Sequence, residues 1–293
     1  MFGTNSIQGK KYFKNAPEES LYVTSMFFTL QGEGPYAGMP ALFIRLAKCN
    51  LNCSFCDTFF DDGDWMTFDE IDEKIMDTIS AYWEDKGADL PDWAVNPKLV
   101  ASVHPGVVLV MTGGEPLLQE NITDFMHYQR RRFKAVQVES NGIPETEIPN
   151  GVTLVCSPKC MEKDGKAVKY YAPSKTILDR ADCLKFVMSA DPESPYHDIP
   201  EWAHEWKMRT GKEIYCSPMN VYNTFPQQIK LLRAEKGVIT MAERSTVDEV
   251  ISWWEPGLLD LAKNEANHKY VGQYCMQHGF RMNMQMHLFA ALA

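Results

Sequence analysis

The 293-residue sequence lacks any apolar run approaching the roughly 18 residues that read as a membrane span. Its opening stretch, MFGTNSIQGKKYFKNAPEES, holds no apolar core of the kind a secretory leader needs. No internal repeat and no low-complexity linker interrupts it, so nothing points to a solenoid or a disordered spacer. Positive charge is in deficit: 29 Lys and Arg face 39 Asp and Glu, a net charge of −10. A surface that acidic repels phosphate backbones, so no direct nucleic-acid partner and no membrane partner is expected. Eight cysteines without an export signal point to free thiols or metal ligands in a reducing compartment, and the expected location is cytoplasmic. With 45% hydrophobic and 23% charged residues the chain can bury a core and is not disordered.

Residues 1–20 read as an arm and 21–293 as a single domain. Leu21–Leu30 and Ala41–Leu46 are rich in β-branched and aromatic residues and read as strands, joined through the turn Gln31-Gly32-Glu33-Gly34-Pro35, which carries an acid that looks buried. Thr67-x-x-Glu70 is a capping box, and Phe68, Ile71, Ile75 and Ile79 form one apolar stripe on a helix reaching about Lys86. Residues 88–106 are Pro-containing and read as a loop. Val107–Met111 is a continuous apolar run, as in a strand covered on both faces. A helix to about Arg132 follows, then strands at 135–139, 152–156, 184–188 and 213–216. Further helices are expected near 197–210, 225–235 and 246–263, with a last strand at Phe280–His287. Strands alternating with helices make βαβ units and a parallel sheet, whose ligands sit at the strands' carboxyl ends.

Cys49, Cys53 and Cys56, spaced C-x3-C-x2-C directly after a predicted strand, carry the strongest signal. A structural zinc site takes four ligands, and no fourth Cys or His lies nearby. An iron–sulfur cluster held by three thiolates leaves one iron open. Zinc with a distant fourth ligand and three buried thiols are the other readings. Thr112-Gly113-Gly114-Glu115-Pro116 follows the VVLVM strand, and its glycines permit positive φ or close backbone approach.

The cysteine spacing and the Gly-Gly-Glu-Pro loop together resemble the radical S-adenosylmethionine (SAM) enzymes. Leu30-Gln31-Gly32-Glu33-Gly34, Arg45, Cys56-Asp57-Thr58, Ser157-Pro158-Lys159 and a terminal pattern ending in His287 resemble, more narrowly, the 7-carboxy-7-deazaguanine synthase family. That resemblance implies an α/β fold, an incomplete (β/α) TIM-like barrel with insertions, here falling at 84–106, 161–180, 190–212 and 236–275. It implies a lyase that contracts 6-carboxy-5,6,7,8-tetrahydropterin to 7-carboxy-7-deazaguanine with loss of ammonia, feeding 7-deazapurine (queuosine- or archaeosine-type) biosynthesis. The implied cofactors are a 4Fe-4S cluster on the three cysteines, SAM on the open iron, and Mg2+ on Thr58.

By the same resemblance SAM would meet Phe55, Cys56, Asp57, Gly114, Glu115, Ser157, Pro158, Lys159, Ser217, Pro218, Met219 and Asn220. The substrate would meet Leu30, Gln31, Gly32, Glu33, Arg45, Thr112, His287 and the terminal Ala293. His268 is a competing match for the histidine. Ser217-Pro218-Met219-Asn220 stands where the family often has Gln-Pro-Met-Asp, so its SAM contacts are in question. A homodimer and an electron donor such as flavodoxin or ferredoxin are further implications. Two rival functions remain open at this point: a glycyl-radical-activating enzyme, and a zinc-binding interaction protein without catalysis.

Overall fold

A computed structural model describes residues 13, 15–58, 60–95, 103–163, 165–223, 259–286 and 289. Within these, β1 (Ser20–Leu30), β2 (Pro40–Leu46), β3 (Asp64–Thr67), β4 (His104–Gly113), β5 (Phe133–Ser140), β6 (Val152–Cys156), β9 (Cys183–Met188), β10 (Glu213–Pro218) and β11 (Arg281–Met282) form one sheet. Its order is β11-β10-β9-β6-β5-β4-β2-β1-β3. Neighbours from β2 to β11 run parallel, while β1 lies antiparallel to β2 and β3. Among the described residues the outermost strands β3 and β11 do not pair with each other, leaving the sheet open, as in an incomplete (β/α) barrel. A separate hairpin, β7 (Cys160–Lys163) with β8 (Lys166–Tyr170), stands outside this sheet.

Side-chain alternation along the strands separates the core from the site. Leu42, Ile44 and Leu46 of β2, Leu109 and Met111 of β4, Val136 and Val138 of β5, and Leu184, Phe186 and Met188 of β9 belong to one apolar cluster with the helices. The intervening residues face the concave side. There Ala41, Val108 and Val110 make one small cluster and Val155, Cys183 and Tyr215 another. Further along the same faces come Arg45, Thr112, Glu139, Ser157, Lys185 and Ser217, all lining the cavity at the strand ends.

Helix α1 (Phe68–Glu84) has the expected reciprocal capping box between Thr67 and Glu70, and buries Phe68, Ile71, Ile75 and Ile79. Helices α2 (Ile122–Gln129), α3 (Lys175–Arg180) and α4 (Glu201–Thr210) follow β4, the hairpin and β9. Segment 190–212, expected as an insertion, thus holds the crossover helix between β9 and β10.

Helix α5 (Leu261–His278) was not expected from the sequence. Its buried face is Asn264, Asn267, Val271, Tyr274 and Cys275, and the two asparagines conceal the apolar periodicity. Their amides serve the loop after β10: Asn264 bonds both backbone groups of Val221, and Asn267 donates to the Met219 carbonyl. The helix expected at 225–235, and that at 246–263 up to residue 258, lie outside the described residues. At 259–263, Leu259 instead bridges Tyr222 and Asp260 caps α5.

Of the strand expected at Phe280–His287, described up to residue 286, only Arg281–Met282 pairs, because the next residues leave the sheet. Asn283 accepts from the Gly34 N–H at 3.3 Å, and the chain then crosses Gly32, where a Cβ would sit 2.5 Å from the Met284 oxygen and the Met286 nitrogen. Strand β4 also begins earlier than expected, at His104, with a register irregularity before Val108.

Thr67→Ala removes the acceptor for the Glu70 N–H and should lower unfolding stability by about 1 kcal/mol. Urea denaturation should show the drop.

Candidate active site

The cysteine loop starts where β2 ends, at Lys48, whose φ of 72° turns the chain out of the sheet. Two backbone bonds from the end of β4 fix that turn: Gly114 N–H donates to the Leu46 carbonyl and Glu115 N–H to the Lys48 carbonyl, each at 2.8 Å. The approach is so close that a Cβ on Gly114 would lie 2.0 Å from the Lys48 oxygen. One on Gly113, at φ +117°, would lie 2.3 Å from Leu46 backbone atoms. The glycine pair is therefore required by strand-end contact alone. Downstream, Cys56 N–H closes a turn on the Cys53 carbonyl at 3.0 Å, and Leu51 N–H donates to the Cys49 sulfur at 3.4 Å.

All three thiols line one cavity. Burial pushes Cys53 up to about 11 and Cys56 to about 12, and raises Cys49 further, with Glu115 adding repulsion. Such thiols stay protonated in the metal-free chain and give up their protons when iron binds. Among the described residues, no three His, Cys, Asp or Glu side chains converge on a single ion. Three thiols spread along one loop suit a multi-iron cluster, whose thiolates bind different irons.

Glu115 is turned inward. Its carboxylate accepts from the N–H groups of Leu117 (3.1 Å) and Asn141 (2.7 Å) and is 1% exposed. Burial raises it to about 7, against the opposing pull of those donors. Asn141 in turn donates to the Asn50 side chain at 2.7 Å, which joins the end of β5 to the cysteine loop.

Facing the cysteines is a buried ion cluster. Lys185 donates to Glu33 at 2.7 Å and to Glu139 at 2.6 Å. Burial opposes its charge, but the two carboxylates outweigh that and hold Lys185 firmly protonated. Ser217 donates to the second Glu33 oxygen at 2.8 Å, while Gln31 and Gln137 both donate to Glu139. The Arg45 guanidinium lies 4.6 Å from the Phe27 ring centroid, and Phe27 stacks on Phe43. Lys159 donates to both oxygens of Ser157, and burial lowers its pKa.

At the mouth, Asp57 accepts from the Thr58 hydroxyl at 3.1 Å and from the Gln285 amide at 3.0 Å. Asn220 then donates to the Gln285 oxygen at 2.6 Å. An ionised carboxylate only accepts, so Gln285 must turn its NH2 toward Asp57 and its oxygen toward Asn220. An aspartate at 220 would set acceptor against acceptor, which accounts for asparagine here.

Of the residues singled out from the sequence, the cavity is lined by Gln31, Gly32, Glu33, Arg45, Cys49, Cys53, Phe55, Cys56, Asp57, Thr58, Thr112, Gly114, Glu115, Ser157, Lys159, Ser217, Pro218 and Asn220. Leu30, Pro158 and Met219 do not line it; the Met219 backbone is spent on Met188 and Asn267. Ser217, expected beside SAM, lines the cavity and donates to Glu33. His287 and Ala293 lie outside the described residues, whereas the competing His268 lines the cavity with its Nδ1 donating to the Asn264 carbonyl. Lys185, Glu139, Asn283 and Gln285 escaped the sequence reading. Lys185 was discoverable as a charged residue inside the otherwise apolar strand CLKFVM.

Comparison with known proteins places this architecture. No protein-family model matches the chain. The 7-carboxy-7-deazaguanine synthase of Rickettsia prowazekii is 33% identical over 241 residues, covering 82% of this chain and 87% of that protein. The Bacteroides thetaiotaomicron enzyme of the same name is 36% identical over 229 residues, covering 77% and 97%. The chain belongs to the 7-carboxy-7-deazaguanine synthase family. The Rhodospirillum rubrum synthase is 32% identical, covering 68% of this chain and 71% of its own length. The crystal structure of QueE from Escherichia coli shares the fold, with a TM-score of 0.51 and 19% identity over 95% of this chain and 98% of that one. Membership of the 7-carboxy-7-deazaguanine synthase family displaces both the glycyl-radical-activating and the zinc-binding readings.

Two predictions follow from the strand-end joint. Gly114→Ala should cost about 3 kcal/mol through overpacking against Lys48 and most of the bound iron, measured by denaturation and iron analysis after anaerobic reconstitution. Glu115, raised from 4.5 to about 7, is protonated in both states at low pH. As pH rises, the unfolded chain releases that proton first, so stability falls between those values. Denaturant midpoints of metal-free protein at pH 5 and 7.5 should show a smaller loss in Glu115→Gln than in wild type.

Proposed function

We propose that this chain converts 6-carboxy-5,6,7,8-tetrahydropterin to 7-carboxy-7-deazaguanine with release of ammonia, as a radical SAM lyase of 7-deazapurine (queuosine- or archaeosine-type) biosynthesis. The observation that carries the reading is the pairing, in one cavity, of the three-thiol loop with the Glu33–Lys185–Glu139 cluster and Arg45. Cys49, Cys53 and Cys56 hold the 4Fe-4S cluster, which with SAM supplies the radical that removes hydrogen from the substrate.

The chain's own groups bind and orient. Arg45, stacked on Phe27, offers a guanidinium fork to the substrate carboxylate. Glu33 and Glu139, held by Lys185, offer acceptors to the N–H edge of the pterin. Gln31, Gly32 and Thr112 frame that edge, with the Leu30 carbonyl end of β1 behind them. Phe55, Asp57, Gly114, Ser157 and Lys159 border the SAM side, and Thr58 is the Mg2+ ligand, a sparse protein contribution typical of that ion. Fixing the substrate from several sides matters because the radical must take one hydrogen and spare its neighbours.

The reading extends to residues 21–293 as one radical SAM domain with an arm at 1–20, a homodimer, a cytoplasmic location, and reduction by a flavodoxin or ferredoxin. Among the described residues no helix is long and apolar enough to cross a membrane.

Anaerobic turnover with SAM, reductant, Mg2+ and 6-carboxytetrahydropterin, followed by mass spectrometry, tests the proposal. Wild type should yield 7-carboxy-7-deazaguanine and Cys53→Ala none. SAM cleavage without that product would keep the radical chemistry and reject the substrate.

A further inference from the structure

The β7–β8 hairpin lies outside the main sheet, yet one of its side chains reaches into the cysteine loop. Both carboxylate oxygens of Glu162 accept from the Ser54 N–H, at 3.0 and 2.9 Å, and one accepts from the Ser54 hydroxyl at 3.1 Å. Ser54 sits between Cys53 and Cys56. Its neighbour Phe55 meets the buried Tyr196 ring edge-on at 5.1 Å. Tyr196 in turn accepts from the Cys160 N–H at the start of β7 and stands edge-on to Tyr170 at the end of β8. Hairpin and tyrosine thus grip the two residues that lie between the last two cysteines. Among the described residues, the loop's own backbone supplies only the Cys53–Cys56 turn bond across this stretch.

The grip has an electrostatic side. A cluster's reduction potential falls with added negative charge and with loss of N–H donors to its sulfurs. Glu162 supplies the first of these, since it brings a carboxylate to the Ser54 N–H between Cys53 and Cys56. Lys159, just before β7, acts in the opposite sense on Cys53.

We propose that Glu162 is a positioning residue for the iron–sulfur centre: through Ser54 it holds the cysteine loop in its cluster-binding shape, and by its charge it keeps the bound cluster strongly reducing. This rests on the reading that the three thiols hold that cluster.

Glu162→Gln preserves shape and one acceptor but removes the charge; Glu162→Ala removes both. Potentiometric titration of anaerobically reconstituted protein, followed by electron paramagnetic resonance, should find the midpoint shifted to less negative values in both variants. Iron release to a chelator should be roughly tenfold faster in Glu162→Ala, the scale of a lost hydrogen bond to a charged group, and near wild type in Glu162→Gln. A misfolded Glu162→Ala leaves the midpoint of Glu162→Gln to decide. Unchanged midpoints with wild-type iron retention would overturn the inference alone, while a wild type that takes up no iron would overturn the cluster reading beneath it.

Discussion

Two backbone hydrogen bonds, from Gly114 to Leu46 and from Glu115 to Lys48, hold the rest of the site in register. They join the ends of parallel strands β2 and β4 at a separation that no Cβ permits. Because β2 and β4 also pair along their length, from Ala41 opposite Val108 to Leu46 opposite Gly113, the joint inherits the rigidity of the sheet. From it the cysteine loop leaves on one side. On the other, Glu115 turns back to bind the amide of Asn141, and Asn141 reaches Asn50. Three strand ends are thereby tied to one loop without using a thiol, so the sulfurs stay available for metal.

The concave face shows the opposite economy. Burying Lys185 with two carboxylates takes three charged groups out of water, so the cluster is weak evidence for stability. What it provides is orientation: Glu33 is fixed by Lys185 and Ser217, and Glu139 by Lys185, Gln31 and Gln137. Preorganised polar groups of this kind need no reordering when a polar heterocycle arrives. Asp57 is fixed in the same manner from the far end of the chain, through Gln285 and Asn220.

What could be read in the sequence was local. The capping box at Thr67, the apolar run of β4 and the spacing of Cys49, Cys53 and Cys56 each lie within a few residues, and each has the form expected of it. Features that depend on register across the sheet were hidden. Lys185 meets Glu33 across 152 positions, and Gln285 meets Asp57 across 228. Helix α5 was concealed for a different reason: its buried asparagines bond to loop backbone and break the apolar stripe that marks a helix. The hairpin carrying Glu162 was legible too, since Asp164-Gly165 in the sequence is a strong hairpin signal between its two strands, but 161–180 was read only as an insertion. Even the glycines of the Gly-Gly-Glu-Pro loop had a second reason invisible in sequence, the contact with Lys48.

As proposed, Cys49, Cys53 and Cys56 hold a four-iron cluster and leave one iron without a protein ligand. Mössbauer spectroscopy of protein reconstituted with ⁵⁷Fe, with and without SAM, tests it most directly. SAM should change the spectrum of one iron site and leave the others as they were. Iron sites that are all indifferent to SAM, or a chain that binds zinc in their place, would contradict it.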